Sequence, residues 1–234
     1  MTDTNKPIRP IRSFVIREGR MTAGQRRALS ELWHKYGLNV KDFSVARLQP
    51  EAVFERVAPT FLEIGFGNGG ALFDMARQRP DCNFIGVEVH RPGVGKLLLN
   101  IEKEGLSNIR VFQEDGNDVL ADVCCRGTLQ GVNLFFPDPW HKKKHHKRRI
   151  LQPRFIELVT DALAPGGRFH FASDWEPYAM EALELLQGAE GLTNCALDGG
   201  FSERPSYRPL TRFEQRGLRL GHGVWDIIMK KPLE

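Results

Sequence analysis

Residues 60–78 read TFLEIGFGNGGALFDMARQ: a short apolar run, a glycine-rich turn, then an apolar pattern with helical spacing. A strand that feeds a glycine loop and a helix is the opening unit of a parallel α/β sheet. The glycines permit the tight turn and let a ligand come close to the backbone. Gly65, Gly67 and Gly70 also fit the dinucleotide pattern, so the loop alone does not choose a ligand.

Glu63, two positions before Gly65, does discriminate. Against a pyrophosphate its carboxylate would be repulsive, whereas beside a sulfonium and an α-amino group it is favourable, which points to S-adenosylmethionine rather than a nicotinamide cofactor. Glu88, after the next strand, is placed to accept both ribose hydroxyls of either cofactor, and Asp115, after the third, to accept from the adenine amine. Ligands of open α/β sheets bind at the carboxyl ends of strands, where these three acids fall.

Outward from the loop, β-rich and helical runs alternate, as parallel βαβ units require. Strands are predicted at 60–64, 83–89, 108–113, 131–136, 167–173 and 223–230, and helices at 71–78, 94–104, 155–163 and 176–187. Pro165, Gly166 and Gly167 predict a stop between a helix and the next strand. Thr22 and Gln25 have capping-box spacing ahead of a helix that Gly37 terminates, and residues 1–20 read as a mobile arm. The organisation expected is an N-terminal basic arm and helix at 1–50 and a cofactor-binding domain at 51–234.

Residues 131–150, GVNLFFPDPWHKKKHHKRRI, pose a second question: an acid between two prolines is followed by a tryptophan and nine residues made only of Lys, Arg and His. GVNLFF should lie beside the first strand, where the strand order reverses, so that the residues after it face the ligand's reactive end. Pro137 and Pro139 restrict the backbone around Asp138, which suits a catalytic carboxylate. The formal net charge is +4, but residues 1–30 hold seven Lys or Arg against Asp3 and Glu18, and residues 141–149 hold six more. Two basic patches on an otherwise acidic chain predict contact with a polyanion such as the phosphates of a nucleic acid. Lysines between His141, His145 and His146 argue against a metal, and none is expected. Cys82, Cys124, Cys125 and Cys195 have no ligand-like spacing and read as reduced thiols of a cytoplasmic protein. No run approaches the roughly 18–20 apolar residues needed to span a bilayer, so no membrane is expected.

RSFVIREGRMTAGQ (12–25), FLEIGFGNG (61–69), PDPWHKKKHHKRR (137–149), ASDW (172–175) and TRFEQRG (211–217) together resemble, in order, the blocks of the bacterial-type tRNA (guanine-N7)-methyltransferases. The resemblance implies a Rossmann-like class I fold with a mostly parallel, seven-stranded sheet and helices on both faces. It also implies methyl transfer from S-adenosylmethionine to N7 of guanine 46 in the tRNA variable loop; monomer and homodimer are both left open by the sequence. Residue by residue, it implies that Glu63, Gly65, Gly67, Glu88, Asp115 and Asp138 meet the cofactor and that Asp138 is catalytic. Lys142, Asp174, Thr211, Arg212, Phe213 and Glu214 would hold the substrate. Chemically, Asp174 and Glu214 suit the N1–H and N2–H donors of guanine, and Lys142 a phosphate. The residues alone leave three rivals: a nucleic-acid-binding module without catalysis, a nicotinamide-dependent oxidoreductase, and a methyltransferase for another base.

Overall fold

The computed structural model describes residues 12–15, 19–211, 214–215 and 223–233. The first helix, α1 (Ala23–Glu31), begins on the expected capping box: Thr22 Oγ1 accepts from Gln25 N at 3.2 Å and Gln25 Oε1 accepts from Thr22 N at 2.8 Å. The helical run then breaks at Leu32 and resumes as α2 (Trp33–Tyr36), and Gly37 opens a two-residue edge strand, β1 (Gly37–Leu38). So short a strand carries no alternation, which is why the sequence does not reveal it. The short helix α3 (Pro50–Phe54) leads into the core.

Thr60–Ile64 (β2), Gly70–Gln78 (α4), Asn83–Val87 (β3), Arg91–Glu104 (α5) and Ile109–Phe112 (β4) then alternate, followed by a short turn of helix, α6 (Gly116–Asp118). The second half comprises β5 (Leu129–Phe135), α7 (Pro153–Ala162), β6 (Leu163–Ser173), α8 (Glu176–Gln187), β7 (Thr193–Asn194) and β8 (Trp225–Lys230). Helices α5 and α7 start two or three residues before the predicted limits because Pro92 and Pro153 occupy the first turn, where proline lacks only an N–H that would be unpaired anyway.

The sheet has the order β1-β4-β3-β2-β5-β6-β8-β7, parallel except for the pairs that β8 makes with β6 and β7. It is the Rossmann-like α/β arrangement expected, with eight strands instead of seven. β2 lies between β3 and β5, so the strand order reverses at the glycine loop. All of β2 is buried: Phe61 packs with Leu72 and Leu97 on one side, while Leu62 and Ile64 pack with Val132 and Phe155 on the other. α1 joins the first of these layers through Ala28, and Gln25 Nε2 donates to Pro92 O on α5 at 3.1 Å.

β6 corrects one expectation. It starts at Leu163, before Pro165-Gly166-Gly167, and its pairing jumps from Leu129↔Leu163 to Gly131↔Arg168. Gly166, at φ 74°, is accommodated in this irregularity, where its N–H reaches the Lys231 carbonyl, so the glycines bend the strand instead of preceding it.

Candidate active site

The loops after β2, β3, β4 and β5 enclose a cleft of about 240 Å³ to which Gly65, Glu88, Asp115 and Asp138 all contribute. A larger cleft of about 530 Å³ adjoins it, lined by Trp140, His141 and Lys142 and sharing Phe14, Glu88, Val89 and Asp138 with the first. Asp138 therefore stands at the junction, exposed, with Lys142 lining the larger side.

Gly65 and Gly67 have φ of 75° and 57°, and a Cβ built on either meets nothing within 4 Å. The left-handed backbone needs glycine, and the space beyond it is open. Glu88 organises this loop: its Oε2 accepts from Gly67 N at 2.8 Å, and its Oε1 accepts from Val89 N at 2.7 Å and His90 N at 2.8 Å. A carboxylate accepts about four hydrogen bonds. One site therefore remains for a ligand, fewer than the two ribose contacts expected. Asp115 caps α6, with Oδ1 accepting from Asn117 N at 3.0 Å.

Glu63 is not part of the cleft lining. It lies behind the loop, 3% exposed, in register with Gly86 and Asn133. Burial, and secondarily the charge of Glu88, pushes its carboxyl up to about 8. Among the described residues its Oε2 has no hydrogen-bond partner, and neither has Oδ1 of neighbouring Asn133. Protonated at neutral pH, Glu63 is a donor as well as an acceptor, and it becomes a carboxylate only where a positive group comes close.

The Pro137-Asp138-Pro139 turn is bounded by two non-glycine residues in the left-handed region, Phe136 at φ 51° and Trp140 at φ 48°. Such positions cost on the order of 1–3 kcal/mol each and persist only where the surroundings enforce them. Here Phe136 N donates to Ala172 O at 2.8 Å, Trp140 Nε1 donates to Ser13 O at 3.1 Å and Arg149 Nε donates to Pro139 O at 2.9 Å.

Arg149 revises the reading of the basic tract. It is 2% exposed, paired with Glu181 and seated 4.5 Å over the Tyr178 ring, so it clamps the turn and is withdrawn from any phosphate. Arg148 lies 4.6 Å over Trp140. Lys142, Lys143, Lys144 and Lys147 remain exposed, the last three on a 3₁₀ turn, Lys143–Arg148. Burial, then the charges of Lys144 and Arg148, pushes the His145 imidazole down, as expected in a cationic field.

The other substrate candidates lie around this centre, outside both cleft linings. Asp174 follows β6, half-buried, next to Trp175, whose ring is 4.4 Å from that of His141. Thr211 Oγ1 accepts from Glu214 N at 3.1 Å. Glu214 is 3% exposed and accepts two bonds from Arg208, at 2.7 and 2.8 Å. Its carboxylate is thus engaged with protein instead of standing free as expected. Arg212 and Phe213, like most of the 1–20 arm, lie outside the described residues.

Three further residues bear on the site without standing out in the sequence as candidates: Ser13 and Phe14, which border the cleft, and Gly93, where a Cβ would come within 2.0 Å of Gly67 O. Arg208, which holds Glu214, is a fourth. Only Gly93 carries a local signal, as a glycine in the first turn of a helix that follows a ligand loop. Among the described residues no group of three or more His, Cys, Asp or Glu could hold a metal, and no helix is long and apolar enough to cross a membrane.

A methyltransferase family model matches residues 57–227. The fold is shared with the solved 16S rRNA methyltransferase KamB at a TM-score of 0.57, with 15% identity over 78% of this chain and 92% of that one. Among curated proteins, the tRNA (guanine-N(7)-)-methyltransferase of Methylococcus capsulatus is 54% identical over 99% of this chain and 100% of its own. That of Alcanivorax borkumensis is 53% identical over 98% and 95%. With such identity sustained along nearly the full length of both relatives, the chain belongs to the tRNA (guanine-N(7)-)-methyltransferase family.

Proposed function

We propose that this chain methylates N7 of guanine 46 in the variable loop of tRNA, with S-adenosylmethionine held in the smaller cleft and the guanine approaching from the larger. The observation that carries the reading is the position of Asp138 at the junction of the two, on a turn whose backbone is enforced from three sides. The donor supplies a methyl group activated by a sulfonium.

Gly65 and Gly67 leave room for that ligand, Glu88 fixes the loop and keeps one acceptor site, and Asp115 borders the same cleft. Glu63 and Asn133 lie buried behind this loop, outside the lining of the cleft, where Glu63 acts on a positive donor through its charge. N7 of guanine carries a lone pair and no proton, so Asp138 is not needed as a base. Its carboxylate favours the positive charge that arrives on the base as the sulfur–methyl bond breaks and the nitrogen–methyl bond forms. Preorganised groups of this kind contribute roughly a hundredfold to a thousandfold in rate.

Lys142 meets a phosphate of the incoming loop, and Asp174 presents an acceptor to guanine N1–H and N2–H, whereas Glu214 is held by Arg208. In this reading residues 51–234 perform the transfer. Residues 1–50 add a basic arm facing tRNA, with Ser13 and Phe14 bordering the donor cleft. The four cysteines are free thiols, in keeping with a cytoplasmic enzyme.

Calorimetry with S-adenosylmethionine and with a nicotinamide dinucleotide tests the donor. Binding of the first alone is expected, and preferential binding of the second would favour the oxidoreductase rival.

A further inference from the structure

Trp175 ends the ASDW stretch and has no part in the proposed transfer. Its main chain is held on both sides. Trp175 N donates to Ser173 Oγ at 3.2 Å, and its carbonyl accepts from Tyr178 N and Ala179 N, each at 3.0 Å, at the start of α8. The side chain is nevertheless 39% exposed. Its ring meets that of His141 edge to face, with centroids 4.4 Å apart and planes at 81°. The strand register explains the meeting. β5 runs beside β6 with Phe135 opposite Ala172, and Phe136 N donates to Ala172 O, so the chain leaving β5 through Asp138 and the chain leaving β6 through Asp174 emerge together.

Trp140, which precedes His141, is by contrast fully engaged: its Nε1 donates to Ser13 O, Arg148 covers its ring at 4.6 Å and the His145 ring stands 5.8 Å away. A single exposed apolar side chain is ordinary on a protein surface. Trp175 differs by its company. His141 lines the larger cleft, and Lys142, Lys143 and Lys144, all exposed, follow it. Aromatic rings beside cations suit a single-stranded nucleic acid, whose bases stack on the rings while its phosphates meet the charges. Asp174 and Glu176 flank Trp175 in sequence and would repel a phosphate, which assigns the indole to a base and the lysines to the backbone.

We propose that Trp175, steadied by His141, is a stacking platform for a base of the tRNA strand next to the target guanine. Trp175 lies outside the lining of the larger cleft, whereas the target must enter that cleft to reach Asp138, so a base on the platform is a neighbour of the target. Drawing one nucleotide out of a strand breaks its stacking on the adjacent bases, and a protein ring replaces what they lose. Every base has a face to stack, so the platform supplies affinity and register without reading sequence. The inference rests on the proposed tRNA substrate.

The test compares wild type, Trp175→Ala, Trp175→Phe and His141→Ala in binding to tRNA lacking 7-methylguanosine across a salt series. The tRNA is either intact or abasic at the nucleotide on one or the other side of the target. Trp175→Ala is expected to weaken binding of intact tRNA by roughly fivefold to a hundredfold at an unchanged salt slope, unlike a lost phosphate contact, with KM for S-adenosylmethionine within about twofold of wild type. Trp175→Phe should keep most of the affinity, and His141→Ala should lose less than Trp175→Ala. Removing one of the flanking bases should weaken wild type by a similar factor and cost Trp175→Ala little more, as two halves of one contact do. Unchanged binding by Trp175→Ala, a smaller salt slope, or abasic penalties equal in wild type and Trp175→Ala would overturn the inference. Should Trp175→Ala not fold, Trp175→Leu, apolar but without a ring, takes its place. A wild type that binds tRNA without methylating it would count against the functional reading, with the abasic comparison still deciding the platform; one that binds no tRNA would overturn both.

Discussion

Asp138 and Glu63 show how differently two carboxyls on adjacent segments are placed. Asp138 is exposed at the junction of the clefts, held by its backbone, with no ion pair among the described residues. Replacing it with Ala should leave S-adenosylmethionine binding measurable by calorimetry and lower turnover by roughly a hundredfold to a thousandfold. Near-normal turnover would remove it from the mechanism. Glu63 is buried, with its carboxyl pushed up to about 8. Above its unfolded value and below about 8, the folded chain holds a proton that the unfolded chain has released, so this group stabilises the fold at low pH and loses that contribution as pH rises through about 8. Melting of the ligand-free protein followed between pH 5 and 8 should show this slope, and Glu63→Gln should remove it. A cationic ligand favours the carboxylate, so at pH 7 wild type should release about one proton more than Glu63→Gln on binding the donor, as read from calorimetry in buffers of different ionisation enthalpy. Equal proton release by the two would separate Glu63 from the donor. At this scale the sequence showed which residues are acidic and, to within two residues, where the six strands other than β1 and β7 end. It did not show that Glu88 would be largely occupied by the loop, because Gly67, Val89 and His90 converge on it only in the fold.

The elements around the site are held by contacts of two kinds. α5 presses on the glycine loop at Gly93, where any side chain would collide with Gly67 O. Overpacking costs typically 1–3 kcal/mol, so Gly93→Ala should lower stability by about that much and weaken donor binding by displacing the loop. Thermal melting with and without S-adenosylmethionine would show both, and an unaltered ligand-induced shift would contradict the second. The basic tract divides into a clamp and a surface: Arg149 grips Pro139, while Lys142 lines the larger cleft. Lys142→Ala should weaken tRNA binding and reduce the slope of log K against log salt by about one, which filter binding across a salt series would reveal. Arg149 looks like its basic neighbours in sequence. Burial sets it apart, and burial depends on Tyr178 and Glu181 some thirty residues on. The glycine loop, the order of strands and helices, and the PDPW turn were all legible because each is local in sequence. The tie between Arg208, Glu214 and Asp226 was not, since no period or spacing links a turn to a strand beyond it.

Over the whole molecule, the reversal of strand order at β2 brings the carboxyl ends of four strands to one cleft, and the insertion between β5 and α7 places cations at its mouth. In the proposed reading the sheet presents a donor pocket and a polyanion surface side by side, as transfer to a nucleic acid requires. The α/β class followed from the alternation of the elements, and the family from motifs spread along the chain. The most direct measurement of the central claim is methyl transfer from labelled S-adenosylmethionine to tRNA lacking 7-methylguanosine, with mass analysis of the released nucleosides and mapping of the modified position. The account predicts 7-methylguanosine at position 46 in the variable loop. A different methylated nucleoside, or tRNA bound without any methyl transfer, would contradict it.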